Sequence, residues 1–179
     1  MYIPRSIEAD VNNNLFRGKV IIIYGPRQAG KTTFVKNLVA QTKKPFGYLN
    51  CDEADVRDQL NSAGTSSQLK EVVGDNEIVI IDEAQRVENI GLKLKLLIDN
   101  FPNQQIIATG SSSFELADKI IEPLTGRNFQ FILSPFSMAE LLIVWNKTEG
   151  SRQLENLILF GSYPAVVNCV GIDQKTVLI

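Results

Sequence analysis

Four residues at fixed spacing carry the clearest chemistry in this sequence: Gly25, Gly30, Lys31 and Thr32 satisfy the pattern G-x-x-x-x-G-K-[ST]. Glycines at both ends let the backbone curl so that successive N–H groups point inward, and the dipole of a following helix adds positive character at the same place. Such a loop is an anion cradle. Within Gly25-Pro26-Arg27-Gln28-Ala29-Gly30-Lys31-Thr32-Thr33, Lys31 is a point charge for the β and γ phosphates of a nucleoside triphosphate. The Thr32 hydroxyl is a ligand for Mg²⁺ and Thr33 a further donor. A second group, Asp82 and Glu83, follows four branched aliphatics, Ile78-Val79-Ile80-Ile81. Asp82 is the expected holder of the metal through its water shell, and Glu83 the expected general base toward an attacking water. Histidine is absent from all 179 residues, which excludes Ser-His-Asp, Cys-His and His-containing zinc chemistry. Catalysis is left to carboxylates, lysine, arginine, hydroxyls and a bound metal.

These residues can act together only if they emerge at the carboxyl ends of neighbouring parallel strands. Val20-Ile21-Ile22-Ile23-Tyr24 reads as a strand covered on both faces, and Phe34, Val35, Leu38 and Val39 recur at helical spacing behind the loop. Residues 46–50, 78–81, 105–109 and 128–133 read as further strands. Between them, a short helix is expected within 6–15. Asp52 is expected to cap another, with Glu53 and Asp55 in its first turn, and a third spans 66–73. Ile90, Leu94, Leu97, Ile98 and Phe101 mark an amphipathic helix with Lys93 and Lys95 on its other face. Ser113 is placed to cap a helix over 114–120. Ser137 and Glu140 form a capping box ahead of Met138, Leu141, Leu142 and Trp145, and Leu154, Leu157 and Ile158 continue in a helix ending at Gly161. Thr109 and Ser111, at the end of strand 105–109, are candidates to sense a γ phosphate; a hydroxyl-rich helix cap accounts for them equally well. Arg127 is a lone cation ahead of a strand and reads, on its own, as a surface charge. Residues 2–5 read as a solvated lead-in, with contact to a base as the lesser alternative.

The composition, 44% hydrophobic and 21% charged, is that of one ordinary globular domain. Eighteen basic residues against twenty acidic ones give a formal charge of −2, so no global electrostatic footprint for nucleic acid or an anionic membrane exists. No apolar run approaches the roughly 18 residues of a membrane span, and Met1-Tyr2-Ile3-Pro4-Arg5 does not open a secretory signal. A cytoplasmic protein without membrane contact is expected. Cys51 and Cys169 have neither zinc nor redox spacing and read as small core residues.

Alternating strands and helices about the loop indicate an α/β P-loop domain, a three-layer fold on a parallel sheet of about five strands. The sequence resembles the AAA+-type bacterial and archaeal ATPases that carry a C-terminal, nuclease-like domain of unknown function. The resemblance rests on loop 25–33, Ile80-Ile81-Asp82-Glu83-Ala84-Gln85, Thr109-Gly110-Ser111-Ser112, Leu124-Thr125-Gly126-Arg127 and Gly161-Ser162-Tyr163-Pro164, in that order. An extra strand between the phosphate-loop strand and the Asp-Glu strand is typical of the division that uses a catalytic glutamate. The resemblance implies ATP binding through loop 25–33 and hydrolysis assisted by Asp82 and Glu83. It also implies Arg127 as an arginine finger or sensor, acting within its own chain or on a homo-oligomeric or protein neighbour. The ATPase domain is expected over 1–164, with 165–179 a linker or the start of a truncated C-terminal domain. Nucleic acid would enter only through that missing domain.

Three other readings compete, one of them a small-molecule kinase, which would need an acceptor pocket and a lid that no stretch of the sequence identifies. A GTPase is suggested by Asn146-Lys147-Thr148-Glu149, which misses the guanine-selecting Asn-Lys-x-Asp in its last position and follows a helix-signalled run. A nucleotide-gated switch with negligible turnover needs the same loop without a positioned water.

Overall fold

Branched aliphatic runs build the centre of the molecule. In a computed structural model, which describes residues 2–111 and 123–169, five strands form one sheet: β1 (Val20–Gly25), β2 (Phe46–Asn50), β3 (Ile78–Asp82), β4 (Gln105–Ser111) and β5 (Asn128–Ile132). Their order is β2-β3-β4-β1-β5 and every pairing is parallel. The extra strand is therefore β4, which stands between β1 and β3. The carboxyl ends of β1, β4 and β3 lie side by side, and those ends carry Gly25, Thr109 and Asp82.

Helices cover both faces, which is why β1 and β3 need unbroken apolar runs rather than alternation. On one face Ile21, Ile23, Ile80 and Ile107 pack against Phe34, Val35, Leu38 and Val39 of α2 (Lys31–Thr42) and Val11 of α1 (Glu8–Asn13). On the other, Ile22, Val79, Ile81 and Ala108 meet Leu60 of α3 (Ala54–Ser62), Leu69 of α4 (Ser66–Val73) and Leu94 and Leu97 of α5 (Ile90–Asn100). A satellite cluster of Ile3, Phe136 and Leu141 gathers the lead-in and α6 (Met138–Val144), α7 (Lys147–Phe160) and α8 (Pro164–Asn168), with Val166 buried as well.

Several local expectations change in the folded chain. Asp52 does not cap α3: the cap position belongs to Glu53, which makes no side-chain cap bond, while Asp52 pairs with Arg86. Lys93 is not on a solvated face but buried. Its ammonium donates to the carbonyls of Asn61 (3.2 Å) and Ala63 (2.7 Å) at the end of α3, and desolvation lowers its pKa. The capping box at Ser137 and Glu140 is present, and a second one, Thr65 with Gln68, starts α4. Asn146 accepts from the Glu149 N–H at 2.8 Å as the cap of α7, so the near-match to a guanine-selecting motif is a helix start. Cys51 is buried, which pushes its thiol up to about 12, and Cys169 is half-buried; both are free. The helix expected over 114–120, with its Ser113 cap, lies outside the described residues.

Candidate functional site

The phosphate loop leaves β1 at Gly25 and ends at Gly30, the cap residue of α2, whose φ of +92° is one that L side chains rarely adopt. Gly25 is needed for a different reason. The Leu133 N–H donates to the Tyr24 carbonyl at 2.8 Å, and a Cβ on Gly25 would stand 2.0 Å from the Leu133 carbonyl oxygen. Between the glycines, Gln28 also has a positive φ of 63°, and Ala29 is buried. Pro26, Arg27, Gln28 and Thr33 lie toward solvent around the curl. Lys31, 5% exposed, folds back across the loop and donates to the carbonyls of Gly25 and Pro26, both at 3.0 Å. Burial lowers its pKa, against the opposing pull of Glu83 and Asp82.

Asp82 is the hub. Its Oδ1 accepts the Thr109 hydroxyl, and its Oδ2 accepts both the Thr32 hydroxyl at 2.7 Å and the Tyr48 phenol at 2.6 Å. Burial and the bond to Asp82 raise the Tyr48 pKa, so the phenol keeps its proton. The Glu83 N–H donates to Thr109 Oγ1 at 3.2 Å. Glu83 itself has left-handed backbone angles (φ 53°, ψ 42°), and its Oε2 accepts from the Gln85 amide at 2.5 Å. Sequence reasoning passed over Tyr48 and Gln85. Their signals were strand periodicity, which places Tyr48 on the face of β2 shared with Ile80 and Asp82, and a polar residue two positions after Glu83.

The donor set fits Mg²⁺. Thr32 and Asp82 offer hard oxygen atoms in mutual contact, and among the described residues no group of three or more His, Cys, Asp or Glu could hold a metal unaided. That suits an ion which keeps most of its shell as water and substrate phosphate.

The lead-in also reaches the loop. Arg5, 6% exposed, donates from Nη1 to the Ala29 carbonyl (3.0 Å) and from Nη2 to the Ser134 carbonyl, pairs through Nε with Glu140 (3.3 Å) and lies 4.4 Å from the Phe136 ring centre. Beside it, Tyr2, Ile3, Gly30, Phe136 and Pro164 line a cavity of about 130 Å³. The segment read as a solvated lead-in is thus part of the site's wall.

Loop 25–33, Asp82, Glu83 and Thr109 come together. Ser111 pairs in register with Gly25 at the sheet's carboxyl edge. Arg127 does not join them: it precedes β5 at the opposite edge, where its carbonyl accepts from Val20 N and its guanidinium pairs with Asp99 at 2.6 Å.

The family model for the AAA domain matches residues 17–142, well over half of the chain, a span that includes the phosphate loop, Asp82, Glu83 and Thr109. The chain belongs to the AAA domain family. This AAA domain is similar to the Walker-type ATPase of Pyrococcus abyssi at a TM-score of 0.62 and 17% identity, covering 93% of this chain and 66% of that one. It is also similar to the AMPPCP-bound DnaA of Aquifex aeolicus at 0.53 and 18%, covering 84% and 55%. At these identities the likeness is one of fold. The chain spans less than two thirds of either protein's length. No curated protein matches it, and no helix among the described residues is long and apolar enough to cross a membrane.

Proposed function

We propose that this AAA domain binds ATP with Mg²⁺ and hydrolyses it to ADP and phosphate, driving or gating an attached or partner domain. The observation that carries the reading is the Asp82 carboxylate joined to the Thr32 and Thr109 hydroxyls, one from the end of the phosphate loop and one from the adjacent strand end. Thr32 and Asp82 would hold Mg²⁺, whose contribution when bound is to neutralise charge on the phosphate oxygens. Lys31 would exchange the loop carbonyls for phosphate oxygens, and backbone N–H groups of loop 25–33 would take the rest. Thr109 orients Asp82 and the Glu83 backbone, and Ser111, paired in register with Gly25, would sense the γ phosphate. Glu83 accepts the proton of the attacking water. The cavity beside Tyr2, Ile3 and Phe136 would receive the base.

Turnover by the isolated domain is expected to be slow. Glu83 is engaged by Gln85, and Arg127 is remote from its own chain's loop. An arginine supplied by a neighbouring copy or a protein partner is worth on the order of 10³ to 10⁵ in rate. These same observations support the second reading, a nucleotide-gated switch with negligible turnover. A C-terminal domain following residue 164 would be the element driven, and the only route to nucleic acid. The setting inferred for this chemistry is the cytoplasm.

Calorimetric binding of Mg·ATP against Mg·GTP, followed by phosphate release in the same samples, tests the proposal. Lys31→Ala should abolish binding. Glu83→Gln should bind within about twofold of wild type and release phosphate at least about 100-fold more slowly, the usual contribution of a positioned general base. Full release by Glu83→Gln would remove Glu83 from the base role. Tight ATP binding without release by wild type would leave the switch.

A further inference from the structure

Asp82 has one partner that the phosphate-loop chemistry does not call for. Tyr48 lies on β2, whose register with β3 pairs Tyr48 with Ile80 and Asn50 with Asp82. Side chains two apart on a strand share a face, and a diagonal neighbour across a pair is within reach of an aromatic side chain. The phenol hydroxyl therefore arrives at Asp82 Oδ2, at 2.6 Å, on the same oxygen that accepts from Thr32. The ring is held in turn. It packs at the edge of the core beside α2, and the Lys36 ammonium lies 3.7 Å from the ring centre. Lys36 is four residues after Thr32, so one face of α2 presents Thr32 to Asp82 and Lys36 to Tyr48.

A carboxylate that grips a metal through water must present its free lone pairs in a fixed direction, and its plane can rotate unless both oxygens are restrained. Thr109 restrains Oδ1. Thr32 cannot be the sole restraint on Oδ2, because its oxygen is wanted as a direct metal ligand and its orientation then follows the ion. The phenol has no such second duty. We infer that Tyr48 is a positioning residue for the metal, fixing the Asp82 carboxylate through Oδ2 so that Mg²⁺ is bound with the nucleotide. The inference rests on the reading of Asp82 and Thr32 as the Mg²⁺ site. Partners of metal ligands are typically worth about 10- to 100-fold in metal affinity.

Tyr48→Phe removes one oxygen and leaves the ring, its packing and the Lys36 contact. The experiment measures the affinity of the non-hydrolysable analogue AMPPCP by calorimetry for the whole chain, once with excess Mg²⁺ and once with EDTA. The ratio of the two affinities is the metal's contribution, and Asp82→Asn gives its lower limit. Tyr48→Phe is expected to bind within about twofold of wild type in EDTA and to lose about tenfold of the ratio. A purely structural defect would weaken both arms equally and preserve the ratio, which would overturn the inference. A ratio equal to wild type with both affinities intact would overturn it too. If wild type and Asp82→Asn show the same ratio, the metal reading of Asp82 fails first and the role of Tyr48 falls with it.

Discussion

Gly25 shows how one residue can satisfy two demands. The spacing motif explains it as a hinge for the phosphate loop, yet its backbone is not left-handed. What forbids a side chain is the Leu133 carbonyl, whose oxygen and carbon would stand 2.0 and 2.9 Å from an added Cβ. Both atoms belong to backbone that is itself tied to Tyr24, so the clash cannot be relieved by a rotamer change. Gly25→Ala should therefore lose at least the roughly 1–3 kcal/mol typical of overpacking, read as a lower urea midpoint with unchanged slope, and nucleotide binding should weaken with it. The types and order of Lys31, Thr32, Asp82 and Glu83 were legible in the sequence because their spacing is local to one strand and loop each. The contact that makes Gly25 obligatory was not, since Leu133 reaches it only through the pairing of β5 with β1.

Among elements, the clearest coupling is the one between the lead-in, α6 and the phosphate loop. Glu140 Oε2 closes the capping box on the Ser137 N–H at 2.8 Å, while Oε1 accepts from the Ser6 N–H at 2.7 Å and from Arg5. Burial would raise the Glu140 pKa, but the Ser6 and Ser137 N–H groups and the Arg5 charge outweigh it and hold the carboxyl low. A pKa depressed by folding stabilises the fold above the unfolded value of 4.5, and that stabilisation is lost as pH falls through the folded one. Glu140→Gln should cost about 3 kcal/mol at pH 7, the scale of breaking a buried ion pair from one side. Urea melts from pH 7 to pH 3 should show the two proteins converging at the acid end. A gap that stayed constant with pH would mean that packing, not charge, sets the cost. The capping box was readable because its residues are three apart. The use of the same carboxylate by Arg5 was not, and neither was the burial of Lys93, whose helical periodicity assigns it to a polar face. Strand boundaries fared better, because runs such as Ile78-Val79-Ile80-Ile81 fit only a strand covered on both sides.

For the whole molecule, the strand order decides which residues can cooperate. Placing β4 between β1 and β3 brings Thr109 between the phosphate loop and Asp82, an arrangement no single motif reveals. The same order sets Arg127 apart. Asn128 pairs with Val20 at the start of β1, and the loop begins at Gly25, five residues further along, or about 16 Å at strand rise. Held by Asp99 at that edge, Arg127 stands apart from its own chain's loop. Arg127→Ala should thus leave ATP affinity and turnover in dilute protein unchanged, with a stability loss of about 0–1 kcal/mol from an exposed ion pair. If a neighbouring copy uses this arginine, turnover per chain will rise with protein concentration in wild type and stay flat in Arg127→Ala. Adding Glu83→Gln, which keeps its Arg127 but cannot hydrolyse, should accelerate a dilute wild-type sample. A drop in the dilute rate of Arg127→Ala would instead bring the guanidinium to its own loop, which the register of β1 with β5 does not permit.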